Sequence, residues 1–188
     1  MKPQKPLVIM FIGMPGSGKT YFATRLADSL PAVTLNSDAL RLAMFGSHQR
    51  IEELRVSDKR RLYDDVFGAM EYAARQTLKA GMSVVYDAQM VRRSDRRGIE
   101  QLAVECEALP VLVWIRTSKE TAYERGISRD DRADSHRYDE ALMRKLVDLF
   151  DKRTELPGAD ENLIKISGEV PFDEQLHTFE MAIGRLRR

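Results

Sequence analysis

Short apolar runs alternate along the chain with longer stretches in which apolar residues recur every three or four positions. Each run is long enough for a strand and far too short to span a membrane. The runs predict strands at residues 7–12, 32–36, 83–86, 111–115 and 163–166. Runs that are apolar throughout are typical of parallel strands buried on both faces, and parallel strands need helical connections between them. The pattern therefore predicts an α/β fold, with a five-stranded parallel sheet between two layers of helices.

The stretches between these runs predict the helices. Their spacing of apolar residues indicates helices over residues 19–30, 37–45, 58–79, 95–107, 118–128, 140–152 and 171–186. Ser37 is predicted to cap the second helix and Gly46 to end it. Two polar stretches have no clean period. Residues 47–57 are predicted to form a surface loop or flap, and residues 129–138 a charged loop.

Composition narrows the classes of protein that the chain can represent. Its 188 residues fit one domain, and 30 basic against 29 acidic residues give a net charge of +1. This balance argues against a general nucleic-acid coat, although not against one local basic site. Cys106 is the only cysteine, so no intrachain disulfide can form, and no Cys/His cluster has zinc spacing. We expect a cytoplasmic protein without a membrane partner.

The segment after the first predicted strand carries the clearest motif, Gly13-Met14-Pro15-Gly16-Ser17-Gly18-Lys19-Thr20. It fits the Walker A pattern, and a strand before it and a helix after it are the expected context. The glycines let the backbone N–H groups and the helix N-terminus form a cradle for phosphate. The lysine is expected at the β- and γ-phosphates and the threonine hydroxyl at Mg²⁺. The alternative is a chance glycine-rich turn.

Asp38 and Arg41 follow directly after the second predicted strand. They lie at the carboxyl edge of the sheet, where such folds bind ligands, and their spacing places both on one helix face. The carboxylate can accept or orient the proton of an attacking hydroxyl, and the arginine can hold groups of an acceptor. The alternative is a plain helix start, since the helix dipole alone favours an aspartate in the first turn.

Asp87 stands at the carboxyl end of the third predicted strand. An aspartate there is the Walker B arrangement, which meets Mg²⁺ directly or through water. The alternative is an aspartate that simply begins a turn.

Arg125 and Arg129 lie four residues apart, where a predicted helix passes into a charged loop. Arginines on a mobile segment can close over a triphosphate and neutralise charge on the transferred group. The alternative is a solvated helix end, in which Glu124, Asp130 and Asp131 pair with these arginines.

In this order and spacing, the four stretches resemble the small P-loop kinases of the polynucleotide-kinase and zeta-toxin type, which are often described as AAA-domain ATP-binding proteins. The resemblance covers about residues 7–170. It implies a nucleoside-kinase-like P-loop NTPase fold of three α/β/α layers. Residues 1–188 would form one kinase domain with a small lid at about 126–138. It also implies Mg²⁺-assisted transfer of the γ-phosphate of ATP to a hydroxyl.

The resemblance also implies roles for individual residues. Asp38 would be the general base, Arg41 would contact a phosphate on the acceptor side, and Arg129 would contact the donor phosphates. Asp87 would lie near the acceptor or the metal, and Arg125 with residues 167–169 would hold adenine. The chain departs from its relatives at Gln89, where they commonly carry an asparagine, and this puts an acceptor contact there in doubt.

The acceptor is left open by the sequence. A small molecule competes with a nucleic-acid 5′ end, and four arginines after Asp87 suit a phosphorylated or polyanionic acceptor: Arg92, Arg93, Arg96 and Arg97. Among them Arg96 is predicted to point at the acceptor cleft, and the alternative is an exposed helix start. A second hypothesis is an ATP-binding or ATPase module without an acceptor, a partner in a repair or toxin–antitoxin complex. The oligomeric state is also open.

Overall fold

The structure is a computed structural model that describes residues 4–128 and 139–187. Its elements in chain order are β1 (Leu7–Ile12), α1 (Lys19–Ser29), β2 (Ala32–Asn36), α2 (Ser37–Phe45), α3 (His48–Ser57), a π-helical turn (Arg61–Asp65), α4 (Val66–Lys79), β3 (Ser83–Gln89), α5 (Arg93–Glu105), β4 (Leu109–Arg116), α6 (Lys119–Ser128), α7 (Glu140–Arg153), β5 (Leu163–Ser167) and α8 (Phe172–Leu186).

The five strands form one parallel sheet in the order β2-β3-β1-β4-β5. The prediction of a five-stranded parallel sheet is therefore confirmed. β1 lies at the centre, and the chain leaves it for β2 on one side and reaches β4 on the other. The direction of the strand connections therefore reverses between β1 and β3. The carboxyl ends of these two strands flank the point of reversal, which is where open α/β sheets bind ligands. The register between these two strands shifts after Met10, so that Phe11 lies opposite Gln89.

Two apolar layers sandwich the sheet. Alternate residues of β1 enter each layer, because successive side chains of a strand point to opposite faces. On one face, Val8, Met10 and Ile12 pack with residues of α4, α5 and α7. On the other face, Leu7, Ile9 and Phe11 pack with residues of α1 and α8. The predicted three-layer α/β/α class is thus confirmed, and burial on both faces explains the continuous apolar run of β1.

The segment between α2 and α4 differs from the prediction. The sequence predicts a loop over residues 47–57, yet α3 begins after the cap Ser47 and buries Ile51 and Leu54 against Leu62. Only two residues of α3 are buried, so its sequence lacks the regular spacing of apolar residues from which a helix is predicted. The prediction of a single helix over residues 58–79 is also wrong in part, because the π-helical turn precedes α4 within this range.

Asn36, rather than Ser37, caps α2, because the Asn36 side chain accepts hydrogen bonds from the backbone N–H groups of Asp38 and Ala39. The predicted lid at 126–138 begins in α6, and its residues 129–138, with the charged loop predicted there, lie outside the described residues. No helix among the described residues is long and apolar enough to cross a membrane.

Candidate active site

The loop between β1 and α1 has the backbone of a phosphate-binding loop. Gly16 and Gly18 both have positive φ, at 79° and 97°, a conformation that residues with a Cβ rarely adopt. Gly18 caps α1 without a side-chain hydrogen bond to the first turn, which leaves that turn's N–H groups available to an anion. Pro15 is half-buried in the loop, and Ser17 is buried.

Lys19 folds back over this loop. Its Nζ donates to the backbone oxygens of Gly13 at 2.7 Å and Met14 at 3.1 Å. The ammonium group therefore lies at the mouth of the loop, and the negative charge of a bound phosphate would compete with these two carbonyl groups for it.

The connection from β4 to α6 braces the loop from outside. Thr117 Oγ1 donates to the backbone oxygen of Ser17 at 2.9 Å. A Cβ on Gly16 would overlap the carbonyl oxygen of Ala122 in α6. The loop thus rests against the backbone of α6, and only glycine fits at this contact.

We expect Gly16→Ala to destabilise the protein more than Gly46→Ala does. Gly46 has an almost identical φ of 81°, and nothing lies within 4 Å of the position that a Cβ would take there. Gly46→Ala should therefore cost only the left-handed backbone penalty of about 1–2 kcal/mol. Gly16→Ala adds the clash with Ala122 and should also abolish nucleotide binding. Urea unfolding and a nucleotide-binding titration measure both effects, and equal losses in the two variants would contradict the contact.

Asp87 is buried among the last three residues of β3, which extends to Gln89 rather than ending at residue 86 as predicted. Its Oδ1 accepts from Thr20 Oγ1 at 3.3 Å, and its Oδ2 accepts from Asn36 Nδ2 at 2.6 Å. Burial raises the pKa of Asp87 above its usual range, although the hydrogen bonds from Asn36 and Thr20 and the charge of Lys19 oppose the shift. Because both of its side-chain donors are neutral, a bound cation would stabilise the charged form of this buried carboxylate.

The donor set around Asp87 fits Mg²⁺. A hydroxyl and a carboxylate are oxygen ligands, and Mg²⁺ takes one or two carboxylates while waters and substrate phosphates complete its shell. The described residues hold no cluster of three or more His, Cys, Asp or Glu side chains suited to a metal. Thr20 and Asp87 offer one hydroxyl and one carboxylate, and waters and substrate phosphates would complete the shell of such an ion.

Asp38 and Arg41 are brought together on α2, as their spacing predicts. The Asp38 side chain is 68% exposed, and its Oδ1 accepts from Arg41 Nη1 at 2.7 Å. Arg41 is only 10% exposed at its side chain. Its Nε donates to the carbonyl oxygen of Leu62 at 3.4 Å, and its guanidinium carbon lies 5.2 Å from the ring centroid of Tyr63. The π-helical turn thus holds the arginine, and the arginine holds the carboxylate at the surface.

Arg125 links α6 to the loop after β5. Its Nη1 donates to the carbonyl oxygen of Gly168 at 2.8 Å, and it lies 4.0 Å from the place where a Cβ of Gly18 would stand. Next to this loop is an open cavity of about 450 Å³. Its lining residues at the carboxyl ends of β4 and β5 include Arg116, Thr117, Ser118, Lys165, Ser167 and Glu169. Arg129 lies outside the described residues.

Gln89 and Arg96 have different surroundings. Gln89 is exposed, and its Nε2 donates to the Gly13 carbonyl oxygen at 3.4 Å, so it borders the mouth of the loop. Arg96, expected to point at the acceptor cleft, is fully buried instead. Its Nε lies 2.5 Å from Glu161 Oε1, and its Nη1 donates to the carbonyl oxygens of Met90 and Val91. It holds the segment after β3 in place and cannot reach an acceptor directly.

Three of the four arginines after Asp87 pair with acidic side chains of the protein, and the fourth, Arg92, is exposed. Arg93 Nη2 contacts both carboxylate oxygens of Asp160 at 2.8 and 2.9 Å, and Arg97 pairs with the same carboxylate. The alternative of an exposed helix start therefore describes Arg93 and Arg97 better than an anion site does. Local sequence does not reveal Asp160 and Glu161 as partners, because more than 60 residues separate them from the arginines.

Sequence reasoning also misses Asn36 and Tyr63. Asn36 contacts Asp87 and caps α2, while Tyr63 flanks Arg41. A polar residue ending a strand before a helix suggests a cap, and the predicted cap lies one residue beyond the observed one. Nothing in the local sequence indicates the contact between Tyr63 and Arg41.

Solved structures of three kinases share this fold. A gluconokinase from Sinorhizobium meliloti 1021 is 18% identical, with a TM-score of 0.65 over 100% of this chain and 95% of that one. A sugar kinase from Janibacter sp. HTCC2649 is 17% identical, with a TM-score of 0.63 over 97% and 95%. The APS kinase of Mycobacterium tuberculosis, solved with AMPPNP and APS, is 18% identical, with a TM-score of 0.61 over 97% and 99%. The fold is therefore that of P-loop kinases.

Family membership follows from the sequence comparison. No protein of curated function matches the sequence. A family model described as an AAA domain matches residues 8–152, a range that includes the phosphate-binding loop, Asp38, Asp87 and Arg125. Because this match covers well over half of the 188 residues, the chain belongs to the AAA domain family.

Proposed function

We propose that residues 1–188 form one ATP-dependent kinase domain that moves the γ-phosphate of ATP to a hydroxyl group of an acceptor. One observation carries the proposal. A continuous set of hydrogen bonds runs from Thr20 to Asp87, from Asp87 to Asn36, and from Asn36 to the backbone of Asp38. It places the phosphate-binding loop next to the first turn of α2, which carries the exposed Asp38 carboxylate. Transfer between two substrates requires such proximity of the two sites.

The roles of the donor side follow from this arrangement. The loop at 13–20 and the Lys19 ammonium would bind the triphosphate, and Thr20 with Asp87 would hold Mg²⁺, which neutralises charge on the phosphates. Arg125, fixed on the carbonyl oxygen of Gly168, would border the adenine. Arg129 would contact the donor phosphates, as the resemblance implies.

Asp38 would serve the acceptor side. Its carboxylate would orient the acceptor hydroxyl and take its proton, as the hydroxyl oxygen forms a bond to the γ-phosphorus. The bond from that phosphorus to the β-phosphate oxygen breaks, and ADP leaves. Arg41 would keep the carboxylate in place, since its Nη1 and Nε are already engaged with Asp38 and Leu62. Gln89 at the loop mouth would border the same cleft.

A small-molecule alcohol is the acceptor class that we favour over a nucleic-acid 5′ end. The pairing of Arg93 and Arg97 with Asp160 offsets part of the positive charge that a nucleic-acid backbone would need. The gluconokinase, the sugar kinase and the APS kinase carry names of small-molecule acceptors. The Asp38-x-x-Arg41 pair supports a kinase of the group that includes polynucleotide kinases and zeta toxins, and it does not by itself choose between the two acceptor classes.

Transfer from γ-labelled ATP tests this proposal across a panel of sugars, sugar acids, nucleosides and RNA 5′ ends. We expect one class to give a labelled product, and Lys19→Ala to lower its rate about 10²- to 10³-fold, because one preorganised charge on the transferred group is lost. The control is Lys59→Ala, because Lys59 is an exposed lysine between α3 and the π-helical turn. Turnover of ATP to ADP and inorganic phosphate without any labelled acceptor would instead indicate an ATPase module.

A further inference from the structure

Asn36 is the last residue of β2, and both ends of its side-chain amide are engaged. Its Nδ2 donates to Asp87 Oδ2 at 2.6 Å. Its Oδ1 accepts from the backbone N–H groups of Asp38 at 3.0 Å and Ala39 at 2.8 Å. One side chain therefore contacts the carboxylate that suits Mg²⁺ and the helix turn that carries the exposed carboxylate.

The strand register explains why this residue can do both. Asn36 and Asp87 are direct partners across the parallel pair β2–β3, and β2 is one of the two edge strands of the sheet. Asn36 is at the same time the cap of α2. Serine, threonine and aspartate also cap helices, but an amide offers an acceptor and a donor in one rigid group. Asparagine thus satisfies two requirements that a simple cap does not.

We propose that Asn36 is a positioning residue that fixes the Asp87 carboxylate next to Thr20 and, through its cap, sets the place of Asp38 relative to it. The inference rests on the proposed function, since it assigns Asp87 to the ion and Asp38 to the acceptor. With Asn36 on Oδ2 and Thr20 on Oδ1, the carboxylate is held at both oxygens. Loss of the hydrogen bond from Asn36 leaves the Asp87 carboxylate free to rotate, while loss of the cap loosens the first turn of α2.

Two substitutions separate these effects. Asn36→Ser keeps a capping oxygen but is too short to reach Asp87, and Asn36→Ala removes both interactions. Ser47→Ala is the matched control, because it removes the cap of the neighbouring helix α3, where Ser47 Oγ accepts from the backbone N–H of Arg50.

The readouts need neither acceptor nor turnover. One is the Mg²⁺ concentration that gives half of the thermal stabilisation by a non-hydrolysable ATP analogue, and the other is hydrogen exchange of the peptide spanning 36–41. For Asn36→Ser we expect the Mg²⁺ requirement to rise about tenfold, the typical effect of one hydrogen bond to a charged group, with exchange near that of the wild type. Asn36→Ala should show the same rise together with faster exchange. Ser47→Ala should leave the Mg²⁺ requirement unchanged.

An unchanged Mg²⁺ requirement in Asn36→Ser overturns the inference, and so does an equal rise in Ser47→Ala. A wild-type protein that shows no Mg²⁺-dependent response to the analogue overturns both the inference and the proposed function. If the wild type responds and Asn36→Ser behaves as expected, but no acceptor is ever labelled, the proposed function fails alone.

Discussion

Asp38→Asn is expected to slow phosphate transfer about 10²- to 10⁴-fold at saturating ATP, the range that loss of a general base produces. The amide has nearly the same shape and can still accept the hydrogen bond from Arg41 Nη1. It cannot take a proton from the acceptor hydroxyl. The start of α2 should not change, because Asn36 rather than Asp38 caps the helix. The loss should therefore appear in kcat, while binding of Mg²⁺ and ATP stays near the wild-type level.

Asp64→Asn is the matched control for this variant. Asp64 is also an aspartate paired with an arginine on its own helical segment, at 3.6 Å from Arg60, and its side chain is 69% exposed. It belongs to the π-helical turn rather than to the carboxyl edge of the sheet. Rapid-quench kinetics with labelled ATP should show full activity for Asp64→Asn. If Asp38→Asn transfers phosphate as fast as Asp64→Asn does, Asp38 is not the base.

The strands and the phosphate-binding loop are predictable because their determinants are local. Both faces of β1 are buried, so its sequence is apolar without interruption from Leu7 to Ile12. The loop's geometry depends on glycines and a lysine within eight residues. The predicted ends of β1 and β2 match the structure to the residue for the same reason, since a glycine follows β1 directly and β2 ends at the polar residue that caps the next helix.

Arg96 shows why other features are not predictable in this way. In sequence, it is one of four arginines near a helix start, and nothing local distinguishes it from Arg97. In the fold, Arg96 meets Glu161 in the interior, whereas Arg97 is exposed. Helix α3 is a similar case, because two buried residues and a cap stabilise it only once Leu62 is present. The burial of Arg96 depends on a partner more than 60 residues away. The formation of α3 depends on the small apolar cluster that Ile51 and Leu54 form with Leu62.

Arg96→Leu is expected to lower the free energy of unfolding by about 3–5 kcal/mol at neutral pH, the cost of leaving one partner of a buried ion pair uncompensated. The side chains of Arg96 and Glu161 are 0% and 1% exposed. Arg97→Ala is the control, because its pair with Asp160 lies at the surface and should contribute less than about 1 kcal/mol. The double variant Arg96→Leu/Glu161→Leu should recover most of the loss, since it leaves no buried charge.

The dependence on pH separates lost charge pairing from lost packing. Burial alone would raise the pKa of Glu161, but hydrogen bonds from Arg96 and from the backbone N–H of Gly158 outweigh it and lower that pKa below 4.5. In the wild type, this carboxylate therefore stabilises the fold above pH 4.5, and the contribution is lost as the pH falls through the lowered pKa. In Arg96→Leu the hydrogen bond and charge of Arg96 no longer oppose the effect of burial, so the pKa of Glu161 rises. The variant therefore gains stability as the pH falls towards 4.5. Urea unfolding between pH 4.5 and 8 should thus show the difference between the two proteins shrinking towards acid pH. A difference that stays constant would mean that packing around Arg96, and not its charge, stabilises the segment after β3.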